Sequence, residues 1–235
     1  MAEIRMVHRH RDVQGGAQRA AVFGVSDGLV SNVGLILGVA AAADEGSSVI
    51  VAGVAGLLAG AVSMAAGEYV SVRAEAELVQ RELAIERRSL AEHPDEEVDE
   101  LTSIYTSRGL PEDQARELAD AVMDDPNVAL EVHAREEMGV DPGSIGNPIA
   151  AAVSSFLAFT VGAVLPLVPW FFAEGVGAIR ASVGVGLVAS AAVGAMLAHF
   201  TERSPLRTAA RQAFIAALAC ATTYGIGSVL GATVV

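Results

Sequence analysis

A single carboxylate interrupts one of the most apolar stretches of this sequence. Residues 20–42, AAVFGVSDGLVSNVGLILGVAAA, are long and apolar enough to cross a membrane, but Asp27 lies about a third of the way along them. A charged side chain inside a membrane helix costs several kcal/mol and usually faces a cavity or an ion path. Ser31 follows one helical turn later. We therefore expect Asp27 and Ser31 to line an ion pathway; the alternative is a protonated Asp27 with a structural role.

The next apolar run adds a second pair of polar groups. In 63-SMAAGEY-69, Met64 and Glu68 are four residues apart and therefore share one face of a helix. Oxygen ligands alone suit Mg²⁺ or Ca²⁺, whereas a thioether shifts the preference towards transition metals. The pair indicates a transition-metal site in the same pathway; the alternative for Met64 is a methionine that fills a gap in the core.

Carboxylates continue at helical spacing beyond this pair. Glu68, Glu75 and Glu82 recur every seven residues, and Glu86 follows one turn later. Acids that converge from several helices can hold a divalent ion, whereas the same acids on solvated faces do nothing. We predict that Glu75 extends the pathway and that the metal ligands of the following segment are Glu82, Glu86, Glu97, Glu100, His133, Glu136 and Glu137.

Composition separates these residues into an apolar part and an acidic part. Of the 235 residues 52% are hydrophobic, and the mean hydropathy of +0.46 is typical of a helical membrane protein. Residues 71–146 hold 20 of the 28 acidic and 7 of the 15 basic residues, so they carry the whole net charge of -13. This charge argues against nucleic acid as a partner and for cations. With Cys220 as the only cysteine, a disulfide within the chain is excluded.

Five apolar runs of about 20 or more residues predict five membrane-spanning helices. A helix of that length covers the bilayer core, and only a helix satisfies its own backbone within lipid. The sequence therefore predicts an all-α polytopic membrane protein. The five runs cover residues 20–43, 49–72, 147–172, 177–200 and 209–233.

Arginine positions predict the orientation of these helices. Arginines concentrate in the N-terminal arm 1–19, the central segment and the link 201–211, and the positive-inside rule puts all three in the cytoplasm. Five crossings then leave the C-terminus outside. Since no cleavable signal is evident and every basic residue is Arg, which we read as a bacterial coding bias, we expect a bacterial plasma membrane.

The central segment reads as a small helical domain inserted between helices 2 and 3. The second membrane helix is predicted to continue, without Gly or Pro, to His93-Pro94, and three further helices are predicted at about 95–107, 111–125 and 127–138. The predicted organisation is an arm at 1–19, membrane helices at 20–72, an acidic metal-binding domain at 73–146 and membrane helices at 147–235.

Three quoted stretches in this order resemble the vacuolar iron transporter family. They are FGVSDGLVSN from residue 23, GAVSMAAGEYVSV from residue 60 and, after the acidic insert, SSFLAFTVGAVLPLVPWF from residue 154. The resemblance runs from about residue 17 to residue 233. It implies a homodimer of five-helix subunits with a cytoplasmic metal-binding domain, and proton-coupled transport of Fe²⁺ and related divalent ions such as Mn²⁺ out of the cytoplasm, without an organic cofactor.

The same resemblance implies roles for individual residues. The family's pore acid falls on Asp27 and its pore methionine on Met64, with Glu68 nearby. Two positions depart from the family pattern, because Ser89 stands at the second place of an E-x-x-E motif and because His133 and Ala134 stand where methionines are common. The implied metal-binding glutamates of the insert are Glu86, Glu97, Glu100 and Glu137.

Two other functions are weighed against proton-coupled transport. A passive divalent-metal channel gated by the acidic domain fits the same residues. A membrane-anchored di-iron oxidase needs Glu-x-x-His pairs, and the residues three places before His93, His133 and His199 are Leu90, Leu130 and Met196. We therefore predict that the chain is not an enzyme.

Overall fold

The computed structural model describes residues 16–42 and 46–234, and within them every regular element is helical. Most of the predicted cytoplasmic arm lies outside the described residues. Two short 3₁₀ helices cover Pro142–Ser144 and Val168–Phe171. The α-helices are α1 (Gly16–Ala42), α2 (Gly46–Glu92), α3 (Pro94–Ser107), α4 (Glu112–Met123), α5 (Pro126–Glu136), α6 (Pro148–Val164), α7 (Gly175–Thr201) and α8 (Pro205–Val234).

The described chain divides into two compact units. The membrane unit comprises the described residues up to Tyr69 and from Ile149 onwards, and the acidic unit comprises Val70–Pro148. Helix α2 is continuous over 47 residues and contributes to both units. It ends at Glu92, next to Pro94, whose ring disfavours helix in the residue before it.

Four helices of the described chain are long and apolar enough to cross a membrane, namely α1, α2, α7 and α8. The chain is therefore a multi-pass membrane protein. Helix α6, predicted as a span of residues 147–172, is shorter than predicted, because it has only 17 residues and ends at Val164. Pro166 accounts for this end, since proline lacks an N–H for the helix and disfavours helix at Leu165.

Helix α1 forms the core of the membrane unit. Its residues Leu29, Val33, Ile36 and Leu37 are fully buried or nearly so. Helices α6 and α8 approach α1 closely at glycines. A Cβ atom at Gly28 would lie 2.2 Å from the carbonyl oxygen of Phe159, and none fits within that distance. Gly28 thus lets two helices of the same chain pack closely against each other.

The acidic unit is a small helical bundle with its own apolar core. Leu83 of α2 packs against Leu130 of α5, and Val98 of α3 packs against Ala119 of α4. Proline begins α3 and α5, and the carboxylate of Asp125 accepts a hydrogen bond from Asn127 N at 2.8 Å. The helices predicted for this segment are confirmed to within a few residues at their ends.

We expect Gly28→Ala to destabilise the chain by about 1–3 kcal/mol, because the added methyl overpacks the contact between α1 and α6. Gly184→Ala in α7 is the matched control, since a Cβ at Gly184 meets no atom within 4 Å. Thermal unfolding of the detergent-solubilised chain measures both. Equal midpoints for the two variants would contradict the close approach of α1 and α6.

Candidate metal centres

The membrane unit contains a cavity of about 330 Å³ between α1, α2 and α6. Three of the predicted pathway residues, Asp27, Ser31 and Met64, line it together. Glu68 is half-buried on α2 and is not among the lining residues, and Glu75 belongs to the acidic unit, where it is exposed. The full lining is Asp27, Ser31, Asn32, Leu35, Gly56, Gly60, Ser63, Met64 and Phe159.

Two glycines of α2 leave room for the side chains that enclose this cavity. A Cβ atom at Gly60 would lie 2.3 Å from Cζ of Phe159, and one at Gly56 would lie 2.2 Å from Cδ2 of Leu35. A larger residue at Gly60 would displace the ring of Phe159, and one at Gly56 would displace the side chain of Leu35. The spacing of glycines in α2 therefore shapes the cavity wall, a role that the sequence alone did not assign to them.

The polar groups of the cavity are suited to a divalent cation. Asp27 supplies a carboxylate, and Met64 supplies a thioether from the facing helix. The hydroxyl of Ser31 donates a hydrogen bond to the backbone carbonyl oxygen of Asp27 at 2.6 Å, so the Ser31 oxygen can still bind a cation. Carboxylate and hydroxyl oxygens with one sulfur favour transition metals over Mg²⁺ or Ca²⁺.

Asn32 is a cavity residue that the sequence analysis missed. It is 2% exposed, and its Nδ2 donates to the carbonyl oxygen of Ala163 at 2.6 Å. Among the residues that the structure describes, none forms a hydrogen bond with its Oδ1. The one signal available in the sequence was that Asn32 is the single side-chain amide of residues 20–42.

The acidic unit brings a second set of predicted ligands together around His133. One ligand atom each of Glu86, His133 and Glu137 lies within 4.8 Å of the others. His133 Nδ1 is 3.2 Å from Glu86 Oε1 and 3.5 Å from Glu97 Oε2. We call these four residues the carboxylate cluster. They come from α2, from α3 and from α5 with the residue that follows it, so only the folded bundle assembles them.

Although these contacts are short, several polar atoms of the carboxylate cluster are buried without a well-aligned hydrogen bond to any of the described residues. They are Glu86 Oε1, Glu97 Oε2 and both ring nitrogens of His133, whose side chain is fully buried. Unsatisfied polar atoms inside a protein are costly and therefore rare. A divalent cation accepts electron pairs from both oxygen and nitrogen, so a bound ion would satisfy these atoms together.

Electrostatics in the carboxylate cluster also favour a cation. Burial raises the pKa of Glu86 to about 7, and the charges of Glu137, Glu97 and Glu100 add to the effect. Burial together with Glu100 and Glu97 raises the pKa of Glu137. Burial lowers the pKa of His133 below its usual 6.5, against the opposing pull of Glu97 and Glu100, so the imidazole is neutral and can act as a ligand.

The remaining predicted ligands lie outside the carboxylate cluster. Glu100 is exposed and contributes its charge. Glu136 forms an ion pair with Arg108. Glu82 is half-buried on α2 and is not among the residues whose ligand atoms converge.

Ser89, the departure from the E-x-x-E motif, supports the carboxylate cluster from outside. Its hydroxyl donates a short hydrogen bond to Oε1 of Glu97. The other oxygen of Glu97 is then the one that faces His133. This hydrogen bond orients the Glu97 carboxylate, as hydrogen bonds from a second layer do for metal ligands.

Comparisons with known proteins identify relatives over nearly the whole chain. The sequence model of the VIT family matches residues 18–228. The chain is 38% identical over 228 residues to "Vacuolar iron transporter" of Acanthamoeba castellanii, covering 93% of this chain and 81% of that protein. It is 32% identical over 223 residues to "Vacuolar iron transporter 1" of Oryza sativa subsp. japonica, covering 93% and 88%, and 30% identical over 213 residues to the protein of the same name from Arabidopsis thaliana, covering 90% and 85%.

Without divalent metal, we expect the chain to be less stable at pH 8 than at pH 6. A carboxyl whose pKa rises from 4.5 to about 7 on folding stabilises the fold at low pH, and this stabilisation is lost as the pH rises through about 7. Each kcal/mol lost lowers the melting temperature by about 2–4 °C. Mn²⁺ should reverse the loss at pH 8, because its ligands are then deprotonated.

Thermal unfolding of the full chain in detergent, with EDTA or with Mn²⁺, measures this effect. Glu86→Gln should flatten the pH dependence, whereas Glu117→Gln, which changes an exposed acid of α4, should leave it as it is. The same pH dependence in the parent and in Glu86→Gln would contradict the raised pKa of Glu86.

We expect Ser89→Ala to weaken Mn²⁺ binding by about 10-fold, because Glu97 loses the hydrogen bond that orients it. Calorimetric titration of the full chain with Mn²⁺ measures the affinity. Ser107→Ala is the matched control, since Ser107 Oγ donates to the Ile104 carbonyl at 2.7 Å in the same unit but away from the cluster. If both variants bind Mn²⁺ alike, Ser89 has no positioning role.

Proposed function

The chain belongs to the VIT family, and from this premise we propose that it transports Fe²⁺, or a similar divalent ion such as Mn²⁺, out of the cytoplasm in exchange for protons. Its relatives are named as transporters of iron and not as enzymes. The observation that carries the proposal is the cavity of the membrane unit, in which the carboxylate of Asp27 and the thioether of Met64 share one lining.

We propose five membrane crossings, with α6 as part of the third. A helix of 17 residues spans only about 26 Å, somewhat less than a bilayer core of about 30 Å. The residues that follow α6, including the 3₁₀ helix Val168–Phe171, supply the missing length. With five crossings and the positive-inside rule, the N-terminus and the acidic unit are cytoplasmic and the C-terminus is outside.

In this proposal the acidic unit captures the ion. Residues 71–146 carry the net charge of -13, which raises the local concentration of cations around them. Glu86, Glu97, His133 and Glu137 then bind one ion through oxygen and nitrogen. His133 makes this site better suited to Fe²⁺ or Mn²⁺ than to Ca²⁺, because imidazole is a poor ligand for Ca²⁺.

The ion then passes along the carboxylates of α2 to the cavity. Glu75 and Glu68 precede Met64 in this direction, and Asp27 and Met64 hold the ion in the cavity. Protons that enter from outside compete for the same carboxylates, and protonation releases the metal because a ligand must be deprotonated to bind it. This competition is the physical basis proposed for antiport.

A homodimer fits the openness of the cavity. Asp27 and Ser31 are both exposed in the single chain although they line the cavity. An ion bound there would be exposed on the side of the cavity that the single chain leaves open. A second copy of the chain that covers this side would complete the coordination of the ion and separate it from lipid.

We expect an imposed pH gradient to drive Mn²⁺ or Fe²⁺ transport in proteoliposomes. Asp27→Asn should reduce this transport at least about 10-fold, because a neutral amide binds a divalent ion more weakly than a carboxylate and cannot exchange a proton. Glu174→Gln is the matched control, since it changes an acid of the membrane unit that lies outside the cavity.

The outcomes separate the alternatives. Transport that is indifferent to the gradient, and never runs uphill, would replace the antiporter with a passive channel. Gradient-driven transport that persists in Asp27→Asn would place the pathway away from the cavity. If neither metal moves in the parent, transport itself is wrong, and metal binding by the acidic unit is what remains.

A further inference from the structure

Asn32 combines deep burial with an unused acceptor. Of the side chains that line the cavity, it is the one whose acceptor is both buried and without a hydrogen-bond partner. Its side chain is 2% exposed, so water does not reach it freely. A buried acceptor left unsatisfied costs about 1–3 kcal/mol. The cost is offset when a ligand occupies the cavity and takes that electron pair.

The orientation of the Asn32 amide is fixed. Its Nδ2 donates a hydrogen bond to the carbonyl oxygen of Ala163, so the Oδ1 of Asn32 lies on the opposite side of the amide. A Cβ atom on Gly56, a cavity residue of α2, would lie 3.3 Å from Oδ1. The oxygen is therefore held beside a position of α2 that carries no side chain.

Resting on the proposed transport function, we propose that Asn32 Oδ1 is a ligand of the transported ion and sets its selectivity. Asp27 supplies the negative charge, Met64 supplies a soft ligand, and Asn32 supplies a neutral hard oxygen. Mn²⁺ prefers oxygen ligands more strongly than Co²⁺ or Ni²⁺ does. Asn32 thus keeps Mn²⁺ among the ions that the cavity accepts.

The neutrality of the amide also allows the ion to leave. Asp27 is the only carboxylate that one chain contributes to the lining of the described cavity, so one chain neutralises only one of the two charges of a divalent ion. A second carboxylate at position 32 would cancel the other charge and bind the ion more strongly in a medium of low dielectric constant. The site would then fill at lower concentration and empty more slowly.

Asn32→Leu and Asn32→Asp test this role because they separate the oxygen from the hydrogen bond to Ala163. Both replacements remove the amide N–H, so if Asn32 only ties α1 to α6, neither replacement would increase the affinity for the ion. A ligand would respond in opposite directions, because leucine removes the oxygen and aspartate keeps it and adds charge.

The readout is the KM and kcat for Mn²⁺ and Co²⁺ in proteoliposomes. Asn32→Leu should raise the KM for Mn²⁺ by about 10-fold and that for Co²⁺ by less. Asn32→Asp should lower both the KM and the kcat for Mn²⁺. Ser182→Ala is the matched control, since it removes another buried hydrogen bond to a backbone carbonyl of the same unit, 2.7 Å to Pro166, outside the cavity.

A second readout separates this proposal from the transport function. Mn²⁺ titration in detergent, on the full chain carrying Glu86→Gln to weaken the other site, measures binding without transport. Opposite shifts in Mn²⁺ affinity for the two Asn32 variants would support the ligand assignment even if vesicles showed no transport. Equal shifts, or an Asn32→Leu chain that behaves like Ser182→Ala, would overturn it.

Discussion

The close approach of helix backbones around α1 is the constraint on which the membrane unit depends. At Gly28 and at Gly162 a Cβ atom would lie 2.2 Å from a carbonyl oxygen of the facing helix, and at Gly227 it would lie 2.1 Å from the carbonyl oxygen of Gly38. Lipid tails provide little hydrophobic drive for helices to associate, so close van der Waals packing of small residues has to provide it. The same tight packing holds Asn32 and Ala163 within hydrogen-bond distance, and it positions the wall of the cavity.

The two candidate metal centres share one feature, buried polar atoms without hydrogen bonds, in different surroundings. In each centre the described residues leave some of these atoms without a hydrogen bond, which costs free energy. A bound cation would offset that cost. In the membrane unit the charge is kept low, with one carboxylate accompanied by neutral oxygens and a thioether. In the acidic unit three carboxylates surround a neutral imidazole, and burial, together with the charges of neighbouring carboxylates, raises the pKa of Glu86 to about 7. In the proposed function, the site in the acidic unit collects ions and the site in the membrane unit holds them loosely enough to pass on.

Individual residues show how far the candidate sites were predictable. Asp27 was predicted because a lone carboxylate stands out in an apolar run, and Met64 was predicted because it shares a helix face with Glu68. Glu86, Glu97, His133 and Glu137 were predicted as ligands, but no spacing rule indicated that these four converge while Glu136 pairs with Arg108. Asn32 was missed, since an amide is common in helices and only its burial and its unpartnered oxygen distinguish it. Ser89 stands where the motif has a glutamate. In the structure its hydroxyl donates a hydrogen bond to Glu97, another predicted ligand.

The helical class, the separation into an apolar and an acidic part, and the ends of the helices in the acidic unit could all be predicted from the sequence. This was possible because hydrophobic run length, charge and proline are local properties of the chain. Only the tertiary structure decided which side chains meet. The distance from His133 to Glu86 and the proximity of Asn32 to Gly56 depend on contacts between residues far apart in sequence. Such contacts are set by the packing of whole helices, and no local pattern encodes them.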